Sequence, residues 1–88
     1  MPEDLLAKLE ETESLLRTGV AGHLERVERL LLAIARRAPA PAVASLAMNA
    51  LTTASGMRRN GKSPEAAEAL NEALSRLRWA LLDAGKRS

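Results

Sequence analysis

Apolar residues recur at helical spacing along most of the chain. In the first third, Leu5, Leu9, Leu16, Val20, Leu24, Val27, Leu30 or Leu31, and Ile34 are separated by threes, fours and their combinations. That period gathers side chains on one face of an α-helix. Pro2 suits a first helical turn, and Glu3 and Asp4 complement the positive end of the helix dipole. The pattern predicts a helix over residues 3–37. Its weak point is Thr18-Gly19-Val20-Ala21-Gly22, because a glycine inside a helix costs about 1 kcal/mol relative to alanine. Leu16, Val20 and Leu24 nevertheless stay in phase, so one continuous, bent helix is expected, roughly 50 Å long at a rise of about 1.5 Å per residue. The alternative is a break between Gly19 and Gly22, which would give four helices.

Ala38-Pro39-Ala40-Pro41 must interrupt the pattern, since proline restricts the residue before it and lacks an N–H. Pro41 can then occupy the first position of a second helix over residues 41–59, with Val43, Leu46, Ala47, Ala50, Leu51 and Ala54 on its apolar face. Asn60 and Gly61 tolerate the left-handed conformation that ends helices. Ser63-Pro64-Glu65 is a helix start, with serine as N-cap and proline at the first helical position. The third helix is predicted over residues 64–84, with Ala67, Leu70, Leu74, Leu77, Leu81 and Ala84 as its stripe. Gly85 should stop it and leave residues 86–88 as a frayed basic tail. The expected fold is therefore all-α, a single domain over residues 1–88, arranged as a three-helix antiparallel bundle with a long first helix.

The middle helix differs from the others in its charge. From Ala38 to Met57 there is no charged residue, whereas an exposed helix ordinarily carries charge on its outer face. Small residues there suit close helix packing, and the expected cover is the other helices together with a second copy of the chain. Composition points the same way. The 88 residues include one tryptophan and no phenylalanine or tyrosine, so the core lacks the large aromatics that usually dominate burial, and homodimerisation would complete it. The candidate interface is Val43, Leu46, Ala47, Ala50, Leu51, Ala54 and Trp79. A membrane span is not expected, because Asn49, Thr52, Thr53 and Ser55 suit hydrocarbon poorly.

There is no cysteine, which rules out disulfides and thiolate chemistry. With an N-terminus unlike a signal peptide, this gives a cytoplasmic expectation. The net charge of +2 is near balance and does not by itself suggest nucleic-acid binding, which needs a clustered basic face. No cofactor or metal is implied.

One string carries a chemical suggestion. Gly56-Met57-Arg58-Arg59-Asn60-Gly61-Lys62-Ser63 fits the G-x-x-x-x-G-K-[ST] phosphate-binding pattern. In that pattern backbone N–H groups wrap phosphate, lysine reaches the outer phosphates and serine holds Mg²⁺, but it needs a preceding strand. Here the preceding residues read as helix, and no nucleotide site is expected. Arg58, Arg59, Lys62 and Ser63 remain candidates for holding an anion at a helix N-terminus, against the plainer reading of a solvated basic turn. His23, the sole histidine, reads as a half-buried structural residue. In outline the chain resembles the helical chorismate mutases, small all-helical dimers with a long first helix, but Glu10 to Arg17 and Arg26 to Arg37 do not reproduce that family's catalytic spacing. The expected function is a helical protein-interaction or scaffolding module, homodimeric, without catalysis of its own and with a further protein partner not identified. The alternatives are nucleic-acid or phosphate-ligand binding through the turn from Arg58 to Ser63, and a small all-helical enzyme.

Overall fold

The computed structural model of the chain describes residues 2–19 and 22–87, with side chains for residues 4–19 and 22–85. There are four helices among the described residues: α1 (Pro2–Thr18), α2 (His23–Arg36), α3 (Pro41–Asn60) and α4 (Pro64–Arg87). Among the described residues there is no strand.

The long first helix expected from the periodicity is divided in two. Gly19 and Gly22 both adopt positive φ, 63° and 76°, a conformation that L side chains adopt only at a cost. The Gly19 N–H donates to the Leu15 carbonyl at 3.0 Å and closes the last turn of α1. Gly22 is the N-cap of α2, and its carbonyl accepts the Arg26 N–H at 3.4 Å. Val20, placed on the stripe by its phase, lies outside the described residues. The physical reason for the break is burial. A straight helix through this segment would be about 50 Å long, longer than the whole molecule at 39 × 19 × 18 Å, and its two halves could not share a core.

The other helix boundaries follow local chemistry. Ala40 is extended (φ −148°, ψ 151°) and Pro41 opens α3. Gly61 (φ 91°) ends it, donating its N–H to the Met57 carbonyl at 3.0 Å. Ser63 caps α4, its Oγ accepting the Ala66 N–H at 3.1 Å. α4 runs to Arg87, past the expected end at Ala84. No proline follows Gly85, and a helical glycine is a tolerable cost.

Each helix touches two others. α1 packs on α2 and α4, and α3 packs on α2 and α4. One core fills the centre. α1 contributes Leu5 and Leu9, α2 Val27, Leu31 and Ile34, α3 Val43, Ala47, Ala50, Ala54 and Met57, and α4 Leu70, Leu74, Leu77 and Leu81. Their steps of three and four are the helical stripes made physical. The three alanines of α3 let neighbouring backbones come close, since interaxial distance follows side-chain size at the contact. Thr12 takes the next core position of α1 and is fully buried. Its hydroxyl donates to the Lys8 carbonyl at 2.8 Å, which removes the penalty of an unpaired buried polar group.

Three of the four seams between helices carry an ion pair. Arg26 Nε lies 3.3 Å from Glu11 Oε2 across α1 and α2, Arg58 Nε lies 2.5 Å from Glu28 Oε2 across α2 and α3, and Arg78 pairs with Glu13 across α1 and α4. Among the described residues no ion pair spans α3 and α4, because α3 has no charge before Arg58.

The glycines give a test with opposite signs. A Cβ at Gly22 or Gly56 would meet nothing within 4 Å, so backbone conformation alone decides the outcome. Gly22→Ala should lower stability by about 1 kcal/mol through left-handed strain. Gly56→Ala, inside α3, should raise it by about 1 kcal/mol. Urea denaturation of the two variants measures both.

Candidate functional site

The phosphate-loop-like string falls where two helices meet. Gly56 to Asn60 form the last turn and a half of α3, residues 61–63 are the link, and Pro64 opens α4. No strand delivers the chain into it, so no glycine-rich loop wraps a ligand. Its cations are also dispersed. Arg58 is held by Glu28, Nε to Oε2 at 2.5 Å and Nη2 to Oε1 at 3.5 Å. Arg59 and Lys62 are exposed, and the Ser63 hydroxyl is engaged in the cap of α4.

The Arg58–Glu28 pair is an electrostatic feature the sequence reading missed. The two residues are thirty positions apart, so no helical spacing announces them. The Arg58 guanidinium holds the Glu28 carboxyl below its ordinary range, against the opposing effect of burial and with help from Ser55. The same hydrogen bond raises Arg58.

Beside this pair is an open depression of about 410 Å³, walled by Gly19, Gly22, His23, Glu25, Met57 and Arg58. His23 is half-buried there. Among the described residues no three His, Asp or Glu side chains gather into a metal-holding group.

The surface is more informative than the depressions. Of the candidate interface residues, Val43, Ala47, Ala50 and Ala54 lie in the chain's own core and have no area left for a partner. Leu46 and Leu51 are half-buried at the edges of α3. Trp79 is 70% exposed. The periodicity located the buried face of α3 correctly as apolar but could not say which chain buries it. Before Arg58, the residues of α3 that reach solvent are Pro41, Ala42, Ser45, Met48, Asn49 and Thr52. The Thr52 hydroxyl donates to the Met48 carbonyl at 2.9 Å and Thr53 to Asn49 at 3.0 Å. With its hydroxyl turned onto the helix, Thr52 presents its methyl beside Met48, while Ser45 and Asn49 keep the face polar.

Among the described residues, the large apolar ones left exposed are Met48 on α3 and Trp79 and Leu82 on α4. Trp79 and Leu82 are three residues apart and share a side of the helix. Arg76, one turn before Trp79, pairs with Glu72 at 2.7 Å, with both side chains about two-thirds exposed. No helix is long and apolar enough to cross a membrane among the described residues.

The Glu28–Arg58 pair gives a pH prediction. A carboxyl whose folded pKa is depressed stabilises the fold above its unfolded value, and that contribution is lost as pH falls through the folded value. Stability should therefore decline from about pH 4.5, the ordinary carboxyl value, downward. Glu28→Gln should flatten the decline in this window. Urea midpoints measured between neutral pH and pH 3 for both proteins check it.

No family model, curated protein or solved structure matches the chain.

Proposed function

We propose that the chain is a small helical protein-interaction module that self-associates as a homodimer and has no catalytic machinery of its own. The observation that carries this reading is Trp79. The one aromatic side chain of the protein, 70% exposed, is spent on the surface and not in the core. Tryptophan is enriched among the residues that dominate binding energy at protein interfaces, and an exposed tryptophan with Leu82 beside it is apolar area that association would remove from water. The outer side of α3 adds a second surface that carries no charge before Arg58.

The reasons for association differ from those that composition alone suggests. The core described above closes within one chain, so a partner is not required to complete it. Association is then a property of the surface, and a folded monomer should exist at sufficient dilution. Phosphate or nucleic-acid binding through Arg58, Arg59, Lys62 and Ser63 receives no comparable support, since two of the four side chains already have partners within the chain.

Light scattering over a range of concentrations should give a mass approaching twice 9.4 kDa at high concentration, falling toward one chain on dilution with helicity retained by circular dichroism. A mass of one chain up to millimolar concentration would refute self-association.

A further inference from the structure

We infer that the outer groove between α2 and α3 is a docking site for an acidic amphipathic helix of a partner protein. This gives the chemistry of the further partner in the interaction-module reading above, and it does not depend on self-association.

The near-balanced charge of the chain conceals a segregation. Residues 23–62 hold seven Lys and Arg against two Glu, while the rest of the chain holds six against nine acids. Within the basic span, Arg58 pairs with Glu28 and Arg26 with Glu11 of α1. Arg29, Arg36 and Arg59 are exposed and make no ion pair among the described residues. Glu25, in the first turn of α2, is the one remaining acid of the span.

Helical register sets these arginines beside apolar side chains. Ser55 and Arg58 of α3 both hydrogen-bond Glu28, which identifies the sides on which the two helices meet. Leu51 and Met48 precede Ser55 by four and seven residues and share its side of α3. Leu32 and Arg36 follow Glu28 by four and eight residues and share its side of α2. The short link between the helices makes them antiparallel, so Arg36 comes level with Met48, two turns along from the ion pair. Leu32 and Leu51 are half-buried, and Met48 is 44% exposed. An open depression of about 450 Å³ brings Leu51, Thr52, Ser55 and Arg59 onto one wall. The groove thus has an apolar floor, with Arg29 and Arg36 on one rim and Arg59 on the other.

That combination chooses the occupant. A nucleic-acid backbone would match the cations and gain nothing from the floor, and α2 and α3 have no aromatic side chain on which a base could stack. A guanidinium pairs equally well with a carboxylate, and methionine adapts its shape to a docked apolar face. Arg29 and Arg36 are separated by about 10.5 Å along α2, the spacing of acids two turns apart on a helix lying beside them. The 14 residues of α2 give a groove about 21 Å long, room for about four turns. A helix laid there would cover Leu32, Met48 and Leu51 with its apolar stripe and meet the rims with its acids. A second copy does not supply such a helix, since α1 carries acids but buries Leu5 and Leu9 in its own core.

The test selects helical peptides of about 15 residues from a displayed library on the full chain, then measures their binding by fluorescence anisotropy. Selected peptides should carry acids two turns apart beside an apolar stripe, and should lose affinity as salt rises. The double variant Arg29→Glu, Arg36→Glu should weaken binding by about tenfold or more. Met48→Ala should weaken it by about fivefold, and Trp79→Glu should leave it unchanged; circular dichroism confirms that all three variants fold. Selection of no peptide, or of peptides without acids, would overturn the inference. So would binding that ignores the arginine reversals or is lost with Trp79→Glu. A mixed-sequence oligonucleotide that binds more tightly than the peptides at equal salt, and ignores Met48→Ala, would overturn it in favour of a phosphate backbone. A chain that stays monomeric while peptides bind removes self-association and leaves this site standing; a dimer that selects no peptide does the reverse.

Discussion

Gly19 and Gly22, both in the left-handed region, lie between α1 and α2, and the packing of α1 on α2 and α4 presupposes the turn they allow. It lets Leu5 and Leu9 share a core with Val27, Leu31 and Ile34. Without it these residues would lie along one stripe of a single rod, each half exposed and dependent on another chain. The local cost is a few unfavourable backbone terms. The return is a closed apolar core, and burial on that scale is the dominant favourable term in folding.

The closed core changes the meaning of the composition. A chain with one aromatic residue and many alanines invites the expectation that its core is incomplete. Here Ala47, Ala50 and Ala54 are fully buried, and their small size brings helices close enough for leucines from three directions to fill the centre. The tryptophan is thereby released from structural duty. Electrostatics follows the same division of labour. Glu11, Glu13 and Glu28 tie α1 and α2 to arginines on neighbouring helices, whereas α3, having nothing charged to offer before Arg58, meets α4 through apolar contact.

Much of the site description was also set by the turn. Arg58 would belong to a free basic cluster if α2 lay elsewhere, but the packing of α2 on α3 brings Glu28 to it. The phosphate-loop pattern shows how a regular expression can be met without its chemistry. Gly56 is an ordinary helical residue and Ser63 is a cap, so the backbone N–H cradle that gives the pattern its physical content is not formed. Trp79 adjoins the stripe at Ala80 and Leu81 in sequence, and the structure leaves it exposed. The competing assignment of Val43, Ala47, Ala50 and Ala54 to the interface was not resolvable from periodicity, which reports that a face is buried and not by what.

Taken alone, the sequence determined the helical class, the breaks at Pro39–Pro41 and Gly61–Pro64, the Ser63 cap, and the core stripes of α2, α3 and α4. All of these are local, fixed by backbone conformation, capping hydrogen bonds and the 3.6-residue period. It did not decide whether α1 and α2 were one helix, whether Thr12 was inside, which glutamate would hold Arg58, or whether the core closed within one chain. Each of those depends on residues distant in sequence meeting in space. At Gly19 and Gly22 in particular, local phase favoured continuing the helix, while the burial gained by folding back favoured the turn, and only the tertiary structure weighs the two together.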